Sequence, residues 1–209
     1  MSYNQAVYTL AQDGLAALAQ SALAKKQATP AQESHFLCNW MAESLKKKAY
    51  PKCLAKDLTG WIRDGRSMGA GAQLTSLLQR IEAQYRQVAE QQTGLGKALM
   101  AWLDDLQAQG VLVITDTDVN GKLKLDNDGL PSVIISASAL AMAVVGDELT
   151  KPLALYIRAD EAMLARSALA HGLLLSQGNK KTTLVKHHKT FQVFPNNAQP
   201  ELVLLVAAL

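Results

Sequence analysis

The sequence predicts an α+β fold, with an N-terminal bundle of about five helices packed with a small C-terminal mixed α/β sheet layer. Three observations predict it. Apolar residues recur at three- and four-residue steps as far as residue 109. Beyond Gly110 the period shortens toward two and β-branched residues cluster. No Pro/Gly/Ser-rich linker separates the halves, so the expected domains, 1–109 and 110–209, leave room for one cooperative unit.

Each helix has its own start, face and stop. Residues 3–24 place Val7, Leu10, Leu15, Leu18, Ala22 and Leu23 on a broad face, and alanines fill most of the remainder. The second helix opens with a capping box, Thr29 with Pro30 at the first helical position and Gln32 three residues after the cap. Its apolar face is Phe36, Leu37, Trp40, Met41 and Leu45, and Tyr50-Pro51 ends it. A third, shorter helix buries Leu54, Leu58, Trp61 and Ile62 and stops at Gly65. Leu74, Leu77, Leu78, Ile81, Tyr85 and Val88 form the fourth, which a glutamine-rich end and Thr93-Gly94 break. The fifth, closed by Gly110, carries Leu95, Leu99, Trp102, Leu103 and Leu106.

In the second half, residues 111–115 and 122–125 read as strands of a hairpin around Asn120-Gly121. Further strands are expected at 133–135 and 153–157, with an Ala-rich helix around Leu140 between them. Asp160 caps a long apolar helix expected to run through Leu173–Leu175 to Gly178. Strands at 182–186, 190–194 and 202–206 complete the set. The apolar terminus, residues 202–209, is either a central strand or a tail that a partner's sheet completes.

Composition excludes several classes. The chain has 209 residues, is 49% hydrophobic and 19% charged, and holds 13 glycines and 6 prolines, which is neither disordered nor low-complexity. Residues 1–10 lack a basic segment followed by an apolar run, which predicts a cytosolic protein. The uncharged stretch 129–146 contains Pro131, Ser132, Ser136 and Ser138, and it reads as a strand and a short helix, not a membrane span. The two cysteines, Cys38 and Cys53, cannot frame a disulfide scaffold and read as small buried hydrophobes.

The net charge of +3 lies wholly before residue 110, where twelve basic residues face nine acidic ones. Its densest stretch holds Lys46, Lys47, Lys48, Lys52, Lys56, Arg63 and Arg66 against only Asp57 and Asp64. Beside it, residues 65–71 (Gly-Arg-Ser-Met-Gly-Ala-Gly) read as a flexible loop running into the fourth helix. There Arg66, Ser67 and free amides would suit an anion. A second basic stretch interleaves Lys180, Lys181, Lys186 and Lys189 with His187 and His188.

Other motifs fail on their chemistry. Thr93-Gly94-Leu95-Gly96-Lys97-Ala98 lacks the preceding strand, the first glycine and the magnesium-binding hydroxyl of a nucleotide loop, so it reads as an interhelix turn. Asp116, Asp118 and Asn120 alternate like the front of a calcium loop, but Asn127 stands where the bidentate Glu belongs, so turn chemistry explains them. His35 and Cys38 lack a second pair of metal ligands. Trp40, Trp61 and Trp102 fall on apolar faces and read as core. No metal or cofactor is expected.

Trp40, then Leu45-Lys46-Lys47-Lys48-Ala49-Tyr50-Pro51, then Trp61-Ile62-Arg63-Asp64-Gly65-Arg66-Ser67-Met68-Gly69 form a pattern. It resembles an uncharacterised bacterial domain-of-unknown-function family, number two-nine-one-three, found mainly in Vibrio and enterobacteria, over roughly residues 1–90. The resemblance implies a bacterial origin, in an accessory or mobile-element system, and brings no activity, cofactor or site residue.

The sequence reading is a non-enzymatic cytosolic binding or adaptor protein. Its anion- or partner-binding surface is Lys46, Lys47, Lys48, Lys52, Lys56, Arg63, Arg66 and Ser67, and its partner an acidic protein or a nucleic acid, not a membrane. Two alternatives stand beside it. One is a subunit of a larger assembly or an oligomer. The other is an enzyme whose groups, such as Asp116, Asp118 and His171, meet only in three dimensions.

Overall fold

A computed structural model describes residues 1–24, 28–89, 93–124, 129–178 and 183–206. The glutamines at 91–92, Leu125, Asn127, Lys180, Lys181, Thr182 and the last three residues, all used above, lie outside the described residues. The fold is α+β, with seven α-helices and a mixed five-stranded sheet among the described residues. Spatial contacts divide the chain into two units, one formed by Met1–Arg86 with 200–202, the other by Gln87–Gln199 with 203–206.

The first unit is helical: α1 (Tyr3–Gln20), α2 (Pro30–Lys46), α3 (Ala55–Met68) and α4 (Leu74–Val88) through Arg86. The capping box forms as its residues require. The Gln32 amide donates to Thr29 Oγ1 at 3.3 Å and the Thr29 amide to Gln32 Oε1 at 2.9 Å. Two glycines set the helix spacing. A Cβ on Gly14 would lie 2.7 Å from Leu78 Cδ1 and 3.1 Å from the Trp40 ring; one on Gly65 would lie 3.0 Å from Leu74 Cδ1 and 3.1 Å from Cys38 Sγ. Both glycines leave room for neighbouring side chains that a Cβ would crowd.

Gly65 therefore does not end α3. The helix runs on to Met68, and Gly69, at φ +55°, ends it before a 3₁₀ turn, Gly69–Ala72. The expected flexible loop is replaced by a helical turn carrying Arg66 and Ser67. Ser34, buried on α2, donates to the Gly69 carbonyl at 2.6 Å and fixes this end.

The second unit comprises α5 (Leu95–Ala108), β1 (Leu112–Ile114), β2 (Ser132–Ile134), α6 (Ala137–Ala143), β3 (Val144–Val145), β4 (Glu148–Leu149), β5 (Leu153–Arg158), α7 (Glu161–Ala170), β6 (Ser176–Gln177) and β7 (Lys189–Val193). The sheet order is β1-β2-β5-β7-β6; β1 and β2 are parallel, and the other pairs antiparallel. One face of the sheet, with Val133, Leu155, Ile157, Phe191 and Val193, shares a core with Leu99, Trp102 and Leu106 of α5 and with Leu164 and Ala168 of α7. Each such large side chain contributes roughly 1.5–3 kcal/mol when removed from water. The other face is a smaller cluster of Ile134, Tyr156 and Val185, against which Ile114, Val119, Leu123 and Leu184 pack.

So α5 belongs with the sheet, and the spatial division falls at Arg86/Gln87 where the change of period points to Gly110. Among the described residues the expected hairpin around Asn120-Gly121 does not form: β1 pairs parallel with β2, and Leu123 bridges Val185 in parallel. Burial of Val119 and Leu123 over Ile134 and Tyr156 outweighs the local turn preference. The hairpin that does form, β3–β4, turns at Gly146-Asp147, with Gly146 at φ +59°. Helix α7 is capped by Asp160, whose Oδ1 accepts from the Met163 amide at 2.8 Å. It stops at Ala170, short of the expected Gly178, because Gly172, at φ +72°, closes a Schellman turn through Leu173 N to Ala168 O at 2.9 Å. Leu173–Leu175 follow as buried extended chain. Val203 bridges Ser176, so the C-terminal segment lies at the β6 edge, not in the sheet centre.

Candidate functional site

Helices α2 and α3 pack together, and Cys38, buried between them, donates its thiol to the Ile62 carbonyl at 3.4 Å. Beside this contact lies an open groove of about 670 Å³, lined by Ala42, Leu45, Lys46, Thr59, Ile62, Arg63, Arg66 and Ser67. The helical repeat explains the set. Residues 42, 45 and 46 share one stripe of α2, and 59, 62, 63, 66 and 67 share one stripe of α3. Ala42, Leu45 and Ile62 supply an apolar floor; Lys46, Arg63 and Arg66 supply a cationic rim.

The rim charges differ in availability. Arg63 donates through Nε and Nη2 to Asp64 Oδ1, both at 3.1 Å, in an exposed pair that is worth little and opens readily. Among the described residues Lys46 and Arg66 make no salt bridge. Thr59 and Ser67 donate to the carbonyls of Ala55 and Asp64, at 2.6 and 3.3 Å, so each hydroxyl oxygen retains its capacity to accept.

Of the eight residues expected at this surface, the groove gathers Lys46, Arg63, Arg66 and Ser67. Lys47 instead pairs with Glu43 at 3.9 Å, one helical turn away on α2. Lys48 sits past the helix end with φ +52°, where the Ala49 amide donates to the Ser44 carbonyl at 3.0 Å. Lys52 opens the 3₁₀ turn Lys52–Leu54, and Lys56 stands exposed in the first turn of α3 beside Asp57. The Asp57 carboxyl is raised above its ordinary range by burial, with the Tyr3 hydroxyl (2.9 Å) and the Lys56 charge pulling the other way. Tyr3 is itself pushed far up by burial and that carboxylate. The pair ties α1 to α3 and does not belong to the groove.

Sequence reasoning missed the floor and treated one flank of α2 as core. Leu37 and Met41 are fully buried, whereas Phe36 and Trp40 are only half-buried and line a second, mostly apolar groove of about 710 Å³ with Leu23, His35, Asn39 and Glu43. Trp61 and Trp102 are core, as expected, and Trp102 Nε1 donates to Ser167 Oγ at 3.1 Å. The width of α2's apolar face carried the clue, because five residues spread over such an arc cannot all face one neighbour. Cys53 is exposed, contrary to the expectation of burial.

The remaining chemical candidates have local partners. Asp118 accepts from the Ser138 amide at 2.8 Å and from Ser136 Oγ at 3.1 Å, which hold its carboxyl below the ordinary range and tie it to the start of α6. His171 hydrogen-bonds through Nδ1 to the Ser167 carbonyl at 2.9 Å within its own helix. Asp116 accepts from the neighbouring Thr117 hydroxyl. These three side chains thus serve separate turns. His35 bonds Asn39 while Cys38 faces α3, so the two point apart. Gly94-Leu95-Gly96 receives the β3–β4 hairpin: Lys97 N donates to Asp147 O at 3.0 Å, and a Cβ on Gly96 would lie 2.8 Å from the Glu148 carbonyl carbon. The Gly94 amide likewise donates to Glu148 Oε1, at 2.9 Å. Ser132 and His188, 2.8 Å apart, resemble a nucleophile and base, yet Ser132 is fully buried and His188 is 6% exposed. The pair pins the turn at 186–188 to β2.

Among the described residues no group of three or more His, Cys, Asp or Glu could hold a metal ion, and no helix is long and apolar enough to cross a membrane. Neither a curated protein nor a solved structure matches the chain. A family model does, over residues 2–206 and so far beyond the Trp40–Gly69 motifs, and the chain belongs to that family, described as protein of unknown function DUF2913.

Proposed function

We propose that the chain is a non-enzymatic bacterial cytoplasmic binding protein whose α2–α3 groove takes an acidic partner. The observation that carries this reading is the convergence of Lys46, Arg63 and Arg66 around the floor of Ala42, Leu45 and Ile62. An amphipathic acidic peptide satisfies both parts, setting an apolar side chain on the floor and carboxylates against the rim. A phosphodiester backbone would use the rim and leave the floor unfilled, so the apolar component favours a protein partner over nucleic acid.

The test is fluorescence anisotropy at low salt with a labelled acidic amphipathic peptide and with labelled single-stranded and duplex DNA. The peptide is expected to bind, with affinity falling as salt rises, and the double reversal Lys46→Glu/Arg66→Glu to weaken it at least tenfold. Leu45→Asp should weaken the peptide and leave any DNA binding unchanged. Absence of peptide binding, or indifference to the double reversal, sinks the proposal; preference for DNA transfers the site to a nucleic-acid partner.

A further inference from the structure

A second cationic concavity lies in the sheet-containing unit. Segments distant in sequence meet there: Leu123 N donates to Leu184 O and Lys186 N to Leu123 O, both at 2.8 Å, around the parallel bridge Leu123–Val185. Alternation along the two segments turns Leu123 and Val185 toward the cluster with Ile134 and Tyr156. It leaves Lys122, Lys124 and Lys186 exposed on the outer side. Together with Leu123, Thr183, Leu184, Val185 and His187 these line a pocket of about 430 Å³. Lys122 and Lys124 are about 6.6 Å apart along their segment, and Lys124 and Lys186 about 4.8 Å apart across the bridge, by ordinary strand spacings.

We propose that this pocket binds a short chain of linked phosphoryl groups. Three exposed lysines carried on backbone positions so close together give a locally positive surface, and among the described residues none of the three makes a salt bridge. Lysine is a point charge suited to phosphoryl oxygens. Among the described lining residues there is no Phe, Tyr or Trp, and no arginine or side-chain amide to read base edges, so the lining suits the phosphate chain better than a nucleic acid. The pocket is also held in shape. His188 is fixed through Nε2 to Ser132 Oγ at 2.8 Å and through Nδ1 to the Lys186 carbonyl at 2.9 Å, which anchors the turn bearing Lys186 and His187. A cationic site whose backbone is pinned before binding loses less freedom on taking its anion.

The proposal is independent of the α2–α3 groove. Isothermal titration of the full chain with tripolyphosphate, orthophosphate and a thymidine 20-mer tests it. The expected result is saturable binding of one tripolyphosphate per chain, tighter than orthophosphate. Lys122→Gln/Lys124→Gln should weaken it at least tenfold and Lys186→Gln at least threefold, while Lys46→Gln/Arg66→Gln leaves it unchanged. Circular dichroism melts confirm that each variant folds. The proposal is overturned by absence of saturable binding, by equal loss in the Lys46/Arg66 variant, or by tighter binding of the 20-mer through the same three lysines.

Discussion

His188 shows how much one side chain can organise. It is buried, its Nδ1–H donates to the Lys186 carbonyl, and its Nε2 accepts from Ser132. Burial disfavours the imidazolium, and the nearby charges of Arg158 and His187 act the same way, so its pKa lies below the ordinary value of about 6.5 despite the bond to Lys186. Between pH 6.5 and that lower value, the unfolded chain binds a proton that the folded chain refuses. The associated stability is therefore full above about pH 6.5 and declines as pH falls through this window. Melting temperature is expected to drop between pH 7.5 and pH 5.5, and His188→Gln to melt lower at pH 7.5 but with a shallower pH slope. An unchanged slope in the variant would show that His188 is not the titrating group. Nothing in local sequence forecast this pair, since Ser132 and His188 are 56 residues apart and meet only through sheet pairing.

At the scale of elements, glycine marks both what the sequence reveals and what it conceals. Gly60 lies inside α3 with open space where a Cβ would stand, nothing approaching within 4 Å, whereas a Cβ on Gly96 in α5 would press on the Glu148 backbone at 2.8 Å. Intrinsic preference in a helix interior, where Gly60 stands, favours alanine by about 1 kcal/mol. Gly60→Ala is expected to stabilise by about 0.5–1 kcal/mol, and Gly96→Ala to destabilise by about 1–3 kcal/mol because backbone must move. Urea denaturation reads both signs, and a stabilising Gly96→Ala would refute the docked hairpin. The helices were legible because spacing and caps repeat locally, as at Thr29 and Asp160. Gly65 misled because a helix stop and a close approach demand the same residue. Asn120-Gly121 misled because its turn preference yields to the burial of Val119 and Leu123, while the turn that does form rests on the weaker signal of Gly146-Asp147. For the candidate groove, the charged stretch was visible in sequence. Which four of its residues converge was not, because that depends on α3 continuing through Gly65 past α2.

For the whole molecule, the division at Arg86/Gln87 predicts how fragments behave. In residues 1–109, α5 loses the partners of Leu99, Trp102, Leu103 and Leu106, each no more than 3% exposed in the full chain. Hydrogen exchange is expected to show α5 unprotected in that fragment and protected in residues 87–206, the difference approaching the full stability of the second unit. Protection of α5 in the 1–109 fragment would place the boundary at Gly110 instead.

The sheet order β1-β2-β5-β7-β6 also has a consequence in time. Strand β7 occupies an interior position, yet it begins only at Lys189. Helices with local contacts form within microseconds to milliseconds, whereas a sheet of distant pairings waits for its last interior strand. At about 5–20 residues per second of synthesis, α5 is completed roughly 4–16 s before β7 is made. During that interval its apolar face lacks the part of its cover that Phe191 and Val193 of β7 supply.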